Sequence, residues 1–134
     1  MKLSSKTITA IKMFIDLGEQ YENGFISLKD IAQRKDLSKK FLEQIVPSFK
    51  NSGLLLGNRG NQGGYKLAKS PNKVYLKDII YIFENNLTKE NVGYAPIDNV
   101  INKVDQLLDD YFSQVTLAKL IDDQRESYLN DYSI

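Results

Sequence analysis

The sequence predicts a mainly α-helical chain with one small β-wing, an α+β arrangement in which helices carry the core. Three observations predict it. Apolar residues recur at helical spacing, as in Leu42, Ile45, Val46 and Phe49. One stretch breaks that period: Leu54-Leu55-Leu56 and Tyr65-Lys66-Leu67 flank residues 58–64, which supply three glycines and two asparagines. Glycine tolerates positive φ and close backbone approach, so this stretch suits a bent hairpin with Arg59 at its tip. Serines also stand where helices should start. Helix, short helix, turn, helix and hairpin in this order make a winged helix-turn-helix.

Each element has its own warrant. Ser4 or Ser5 can cap a first helix whose apolar face is Ile8, Ile11, Phe14, Ile15 and Leu17, with Gly18 placed to end it as a left-handed cap. After Asn23-Gly24, Ile26 suits a short strand. Ser27-Leu28-Lys29-Asp30 resembles a capping box with Asp in place of Glu and opens a short helix through Ile31, Ala32 and Arg34. Asp36-Leu37 turns the chain, and Ser38 caps a third helix reaching about Asn51, where Gly53 ends it. Pro47 removes one i→i−4 bond and should kink that helix about halfway. Leu76 to Glu84 reads as a fourth helix and residues 85–96 as a loop. Pro96 suits the first turn of a long helix. Val115, Leu117, Leu120 and Ile121 suggest a short final helix before an acidic tail. The expected division is 1–84, a winged helix-turn-helix; 85–96, a loop; and 97–134, a long C-terminal dimerisation helix with the short helix and tail.

Composition narrows the chemistry. The 134 residues contain no cysteine and no histidine, so thiolate and imidazole metal sites, cysteine nucleophiles and histidine triads are unavailable. No apolar run exceeds the five residues Ile79–Phe83, and Lys6 and Lys12 interrupt any secretory leader, which suggests a cytoplasmic protein. The net charge of +1 conceals a segregation: residues 1–75 hold 13 Lys/Arg against 6 Asp/Glu, and residues 76–134 hold 5 against 11. A basic half of this kind suits phosphate. Asp105, Asp109 and Asp110 have no nucleophile–base partner and read as the solvated face of a helix, which argues against an enzyme.

Several blocks resemble one known family, the Rrf-two family of bacterial winged-helix transcriptional regulators. They are Met1-Lys2-Leu3-Ser4-Ser5-Lys6, Ser27–Ala32, Phe41-Leu42-Glu43-Gln44-Ile45, Arg59-Gly60 with Gly63-Gly64-Tyr65-Lys66-Leu67-Ala68, Lys77-Asp78-Ile79-Ile80 and Thr116-Leu117-Ala118. Many members of that family carry three cysteines in the segment equivalent to 85–96 and bind an iron–sulfur cluster there. This chain has none, so the resemblance is to the cluster-free branch, which includes the cysteine-metabolism repressor, and no cofactor is expected. Thr7-Ile8-Thr9 stands where the family usually has Gly-Arg-Tyr, and Tyr75 where a threonine cap is usual.

The resulting expectation is a homodimeric, sequence-specific DNA-binding repressor, the alternative being a winged-helix protein–protein module that does not bind DNA. Arg59 should enter the minor groove. Glu43 suits a cytosine amino group, Gln44 suits adenine or phosphate, and Lys39 and Lys40 suit phosphate or guanine. Ser27, Lys29 and Ser38 should position the DNA backbone at helix N-termini, while Gly60, Gly63 and Gly64 shape the wing ahead of Tyr65. The stripe Ile97, Val100, Ile101, Val104, Leu107, Leu108 and Tyr111 is too long for a small domain to cover and reads as a dimer seam. The terminal Ile134, behind Asp131 and Tyr132, is similar to the peptide that O-acetylserine thiol-lyase accepts, which makes that enzyme a candidate partner.

Overall fold

The computed structural model describes residues 1–60, 63–85, 87–88 and 90–132, the side chains of the last two apart. The Ser4 hydroxyl oxygen accepts the Thr7 N–H at 3.3 Å and starts α1 (Ser5–Glu19). The buried face of α1 is Ala10, Met13, Phe14 and Leu17, with Ile11 and Ile15 half-buried. Ile8, expected on that face, is exposed, because the stripe through Met13 and Leu17 turns it away. Gly18 does not end the helix, which is capped at Gln20. Its missing side chain serves a different end. A Cβ there would lie 2.5 Å from Ile121 Cδ1 and 3.3 Å from Leu117 Cδ2, so Gly18 lets the last helix approach.

Two serines set the helix-turn-helix. Ser27 Oγ accepts the Asp30 N–H at 3.1 Å to open α2 (Leu28–Lys35), and Ser38 Oγ accepts the Phe41 N–H at 3.1 Å to open α3 (Lys39–Asn51). Between them Asp36 takes a left-handed conformation at φ 53°. The stripe Leu42, Ile45, Val46 and Phe49 is buried as its spacing implies, and α3 continues through Pro47 to Asn51. Phe49 meets Phe14 at 4.9 Å and Phe83 at 5.5 Å, both edge-on.

An ion pair fixes α2 against α1. Arg34 donates from Nε and Nη2 to both oxygens of Asp16, at 2.8 and 3.0 Å, and Asp16 is almost fully buried. That hydrogen bond raises the Arg34 pKa above its ordinary value. Lys35 reaches Glu19 at 2.6 Å beside it. Arg34→Ala leaves a buried carboxylate without its partner and should cost about 3 kcal/mol of unfolding free energy, measured by urea denaturation at neutral pH. A loss below about 0.5 kcal/mol would mean that water replaces the guanidinium.

The wing is β1 (Leu55–Asn58) paired antiparallel with β2 (Gly64–Leu67), Leu55 opposite Leu67 and Gly57 opposite Tyr65. Ile26 forms an isolated bridge to Tyr65, with backbone bonds of 2.9 and 2.8 Å, and thereby ties the wing to the entry of α2. α4 (Leu76–Ile80) is shorter than expected. Past Ile80, Phe83 turns into the core and the Glu84 carboxylate is held elsewhere, accepting from the Ser4 N–H at 3.0 Å and from Thr7 Oγ1 at 2.8 Å. Hydrogen bonding from Ser4, opposed by burial, holds the Glu84 carboxyl below its ordinary pKa. Thr7 and Glu84 thus join the first helix to the turn that follows α4.

The long helix α5 (Ala95–Phe112) begins one residue before Pro96, and α6 (Leu117–Tyr132) absorbs much of what read as a tail. Leu76 N–H donates to Val115 O at 2.8 Å and Leu117 N–H to Val74 O at 2.7 Å. Leu117 and Ile121 lie in the same buried cluster as Phe14 and Phe49, so α6 returns to the winged-helix core. A second cluster of Ile80, Leu87 and Phe112 seats the end of α5.

Candidate nucleic-acid interface

Burying Leu42, Ile45, Val46 and Phe49 leaves the other side of α3 in solvent. Lys39, Lys40, Glu43 and Gln44 are all exposed there, on the first two turns. Lys39 Nζ and Glu43 Oε1 are 3.6 Å apart, a solvated i,i+4 pair that either side chain can leave. Lys29 is exposed on the first turn of α2. The Ser27 and Ser38 oxygens are occupied as caps, which leaves each hydroxyl proton to donate outward.

Arg59 is exposed at the end of β1. Gly60 follows at φ 106°, and the Gly63 N–H closes the turn onto Gly60 O at 2.9 Å; residues 61 and 62 lie outside those described. A Cβ on Gly63 would lie 2.8 Å from the carbonyl oxygens of Asn58 and Gly60, and one on Gly64 would lie 2.2 Å from Ile26 O. These glycines form the wing and its root. Tyr65 is half-buried, and its backbone is committed to Ile26.

α3 and the wing bound a cleft of about 230 Å³, lined by Leu28, Glu43, Pro47, Lys50, Asn51 and Tyr65. Lys50 Nζ lies 6.0 Å from the Tyr65 ring centre, and Lys66 Nζ lies 5.1 Å from that of Phe25. Neither lysine was singled out from the sequence. Lys50 stands seven residues, or two helical turns, after Glu43 on α3, and that spacing was the available signal.

On α5, Ile97, Val100, Val104, Leu107 and Tyr111 are 40–64% exposed. Ile101 and Leu108 are half-buried, Leu108 against the cluster of Ile80 and Phe112. The stripe is therefore an apolar face that its own chain leaves largely open. The segment before α5 is held by side chains of that helix: Thr88 Oγ1 donates to Asp105 at 2.6 Å, and the N–H groups of Val92 and Gly93 donate to Asp98 at 2.7 and 3.1 Å. Among the described residues no group of three or more His, Cys, Asp or Glu could hold a metal ion, and no helix is long and apolar enough to cross a membrane. Ile134 lies outside the described residues, as does the Asp131 side chain.

Residues 3–123 match the family model Rrf2 (Rrf-two), described as an iron-dependent transcriptional regulator. The chain is similar to the HTH-type transcriptional regulator CymR of Bacillus subtilis, 37% identical over 69% of this chain and 67% of that protein. It is also similar to a regulator of Synechocystis, 33% identical over 65% of this chain and 59% of the relative. Among solved structures, the IscR of T. potens superimposes with a TM-score of 0.81 at 32% identity, over 95% of this chain and 90% of that one. The structure titled CymR, the global cysteine regulator of B. subtilis, gives 0.81 at 29% identity over 91% and 97%.

Proposed function

The chain belongs to the Rrf2 family of winged-helix, DNA-binding transcriptional regulators, and on that footing we propose that it acts as a homodimeric, sequence-specific repressor in the cytoplasm. One observation carries this reading: the exposed first turns of α3 stand beside a wing that presents Arg59, while the opposite face of α3 is buried in the core. In such an arrangement α3 reads base edges in the major groove and Arg59 enters the adjacent minor groove. The open α5 stripe supports pairing of two copies, with 1–84 as the DNA-binding unit and 97–134 as the dimerisation unit. A dimer bound across two half-sites about 34–36 Å apart would occlude a promoter.

The family's iron does not fit this chain. No thiolate or imidazole exists to ligate it, and of the acids around the connecting segment Glu84 is engaged by Ser4 and Thr7, Asp98 by two backbone amides and Asp105 by Thr88, while Glu90 is exposed. Regulation without a cluster rests on the absence of cysteine, and a role in cysteine or sulfur metabolism on the likeness to the global cysteine regulator of B. subtilis. O-acetylserine thiol-lyase is proposed as a partner of the segment Asp131–Ile134 on the residues of that segment alone.

Arg59 and Glu43 separate the two kinds of contact. Arg59→Ala should weaken specific binding by about 1–3 kcal/mol in fluorescence anisotropy, with a shallower salt dependence. Glu43→Ala should leave most of the affinity and relax base preference at one position per half-site in a selection from random duplexes. An unchanged consensus from Glu43→Ala would make Glu43 only the partner of Lys39.

A further inference from the structure

Adjacent major and minor grooves are separated by one sugar–phosphate strand. A protein that puts a helix in the first and an arginine in the second must straddle that strand. In this chain α3, mostly its C-terminal half, faces Tyr65 of the wing across a cleft. Its lining holds one cation, Lys50, and one carboxylate, Glu43. Glu43 reaches back 3.6 Å to Lys39, toward the start of the helix. Lys50 is exposed and makes no ion pair among the described residues.

The position of Lys50 is built by its neighbours. Its ammonium lies by the Tyr65 ring, and Gly57 stands opposite Tyr65 in the hairpin. A Cβ at Gly57 would come within 3.3 Å of Lys50 Cε and Nζ and 3.2 Å of Tyr65 Cε1. Gly57 is not among the glycines with positive φ, so its lack of a side chain serves room and not backbone shape. The lysine stem is laid along the wing root, with its charge at the cleft.

We propose that Lys50, seated against Tyr65 and Gly57, binds a phosphate of the DNA strand that passes between the recognition helix and the wing. This rests on the assignment of α3 and Arg59 to neighbouring grooves. A compact ammonium suits a single phosphate oxygen and carries no base information. Its effect is to fix the register of wing and helix on one strand, so that both readers engage together.

The test compares wild type, Lys50→Gln, Lys50→Arg, Gly57→Val and Arg59→Ala on operator and random duplexes across a salt series. Lys50→Gln should lower affinity roughly tenfold on both duplexes and flatten the log–log salt slope by about 1.8, about 0.9 for each copy in the dimer. Lys50→Arg should restore most of the loss. Gly57→Val keeps the charge but fills its seat, and should reproduce the defect. A single neutral methylphosphonate, stepped along the strand, should weaken wild type at one position where Lys50→Gln shows no further loss. If Lys50→Gln keeps the wild-type slope and the same sensitivity at every phosphate, while Arg59→Ala is still defective, the clamp is wrong and the groove assignment stands. If Arg59→Ala is also silent on operator DNA, the groove assignment itself fails and takes the clamp with it.

Discussion

Val104→Asp should yield a monomer at micromolar concentration in light scattering, with operator binding reduced by about a thousandfold or more. In the proposed dimer each copy would bring a carboxylate into the seam, and an apolar interface charges several kcal/mol for each unpaired one. Val104 is 40% exposed on the single chain, so the helix itself has no reason to unfold. Circular dichroism should therefore remain that of wild type. Losing the proposed dimer would separate two half-sites whose binding it links, and each winged helix would then bind with its own weak affinity. A Val104→Asp protein that stays dimeric and binds DNA normally would place the seam elsewhere.

Gly64→Ala should be the most damaging single-methyl substitution in the wing. The added carbon would lie 2.2 Å from the Ile26 carbonyl oxygen and 2.8 Å from the Ser27 nitrogen. Both are backbone atoms at the cap of α2, so no side-chain rotation relieves the clash. The paired bonds between Ile26 and Tyr65 should break, releasing the root of the hairpin. Operator affinity should fall at least as far as in Arg59→Ala, because the arginine loses its bearing. Hydrogen exchange at the Ile26 and Tyr65 amides should rise by about a hundredfold, with α1 and α3 still protected. Unchanged exchange at those two amides would show that the backbone yields more readily than this contact implies.

Features encoded within one turn or one helix were legible in the sequence. Ser27 and Ser38 cap as read, Asp36 turns, and the α3 stripe is buried, because each depends on neighbours within four residues. The open stripe on α5 was legible for the same reason. Contacts between distant segments were not. Gly18 has the look of a helix stop, but its role is set by Ile121 more than a hundred residues later. Glu84 extends a helical pattern on paper, whereas Ser4 and Thr7 draw its carboxylate away. Ile8 shares a helical period with Phe14, yet the packing partners chose the face through Met13. In the candidate interface, the charged residues at the start of α3 and at the wing were apparent. Lys50 was not, since its seat is made by Tyr65 and Gly57 across a fold.

The close passage of α6 over Gly18 has a geometric consequence. α5 is fastened at its C-terminal end: Leu108 and Phe112 sit with Ile80 and Leu87, and Leu117 and Ile121 just beyond return to the winged-helix core. A root held by one contact would let the helix swing, and a dimer built on it could stretch to fit operators of several lengths. A root held on both sides fixes the direction of the helix, and in the proposed dimer that direction would set the separation and rotation of the two recognition helices. One inserted base pair turns a half-site by about a tenth of a helical turn, and a helix with so firm a root would have little slack to follow it. Operator length would then be measured by the helix pair of the proposed dimer, as by a caliper.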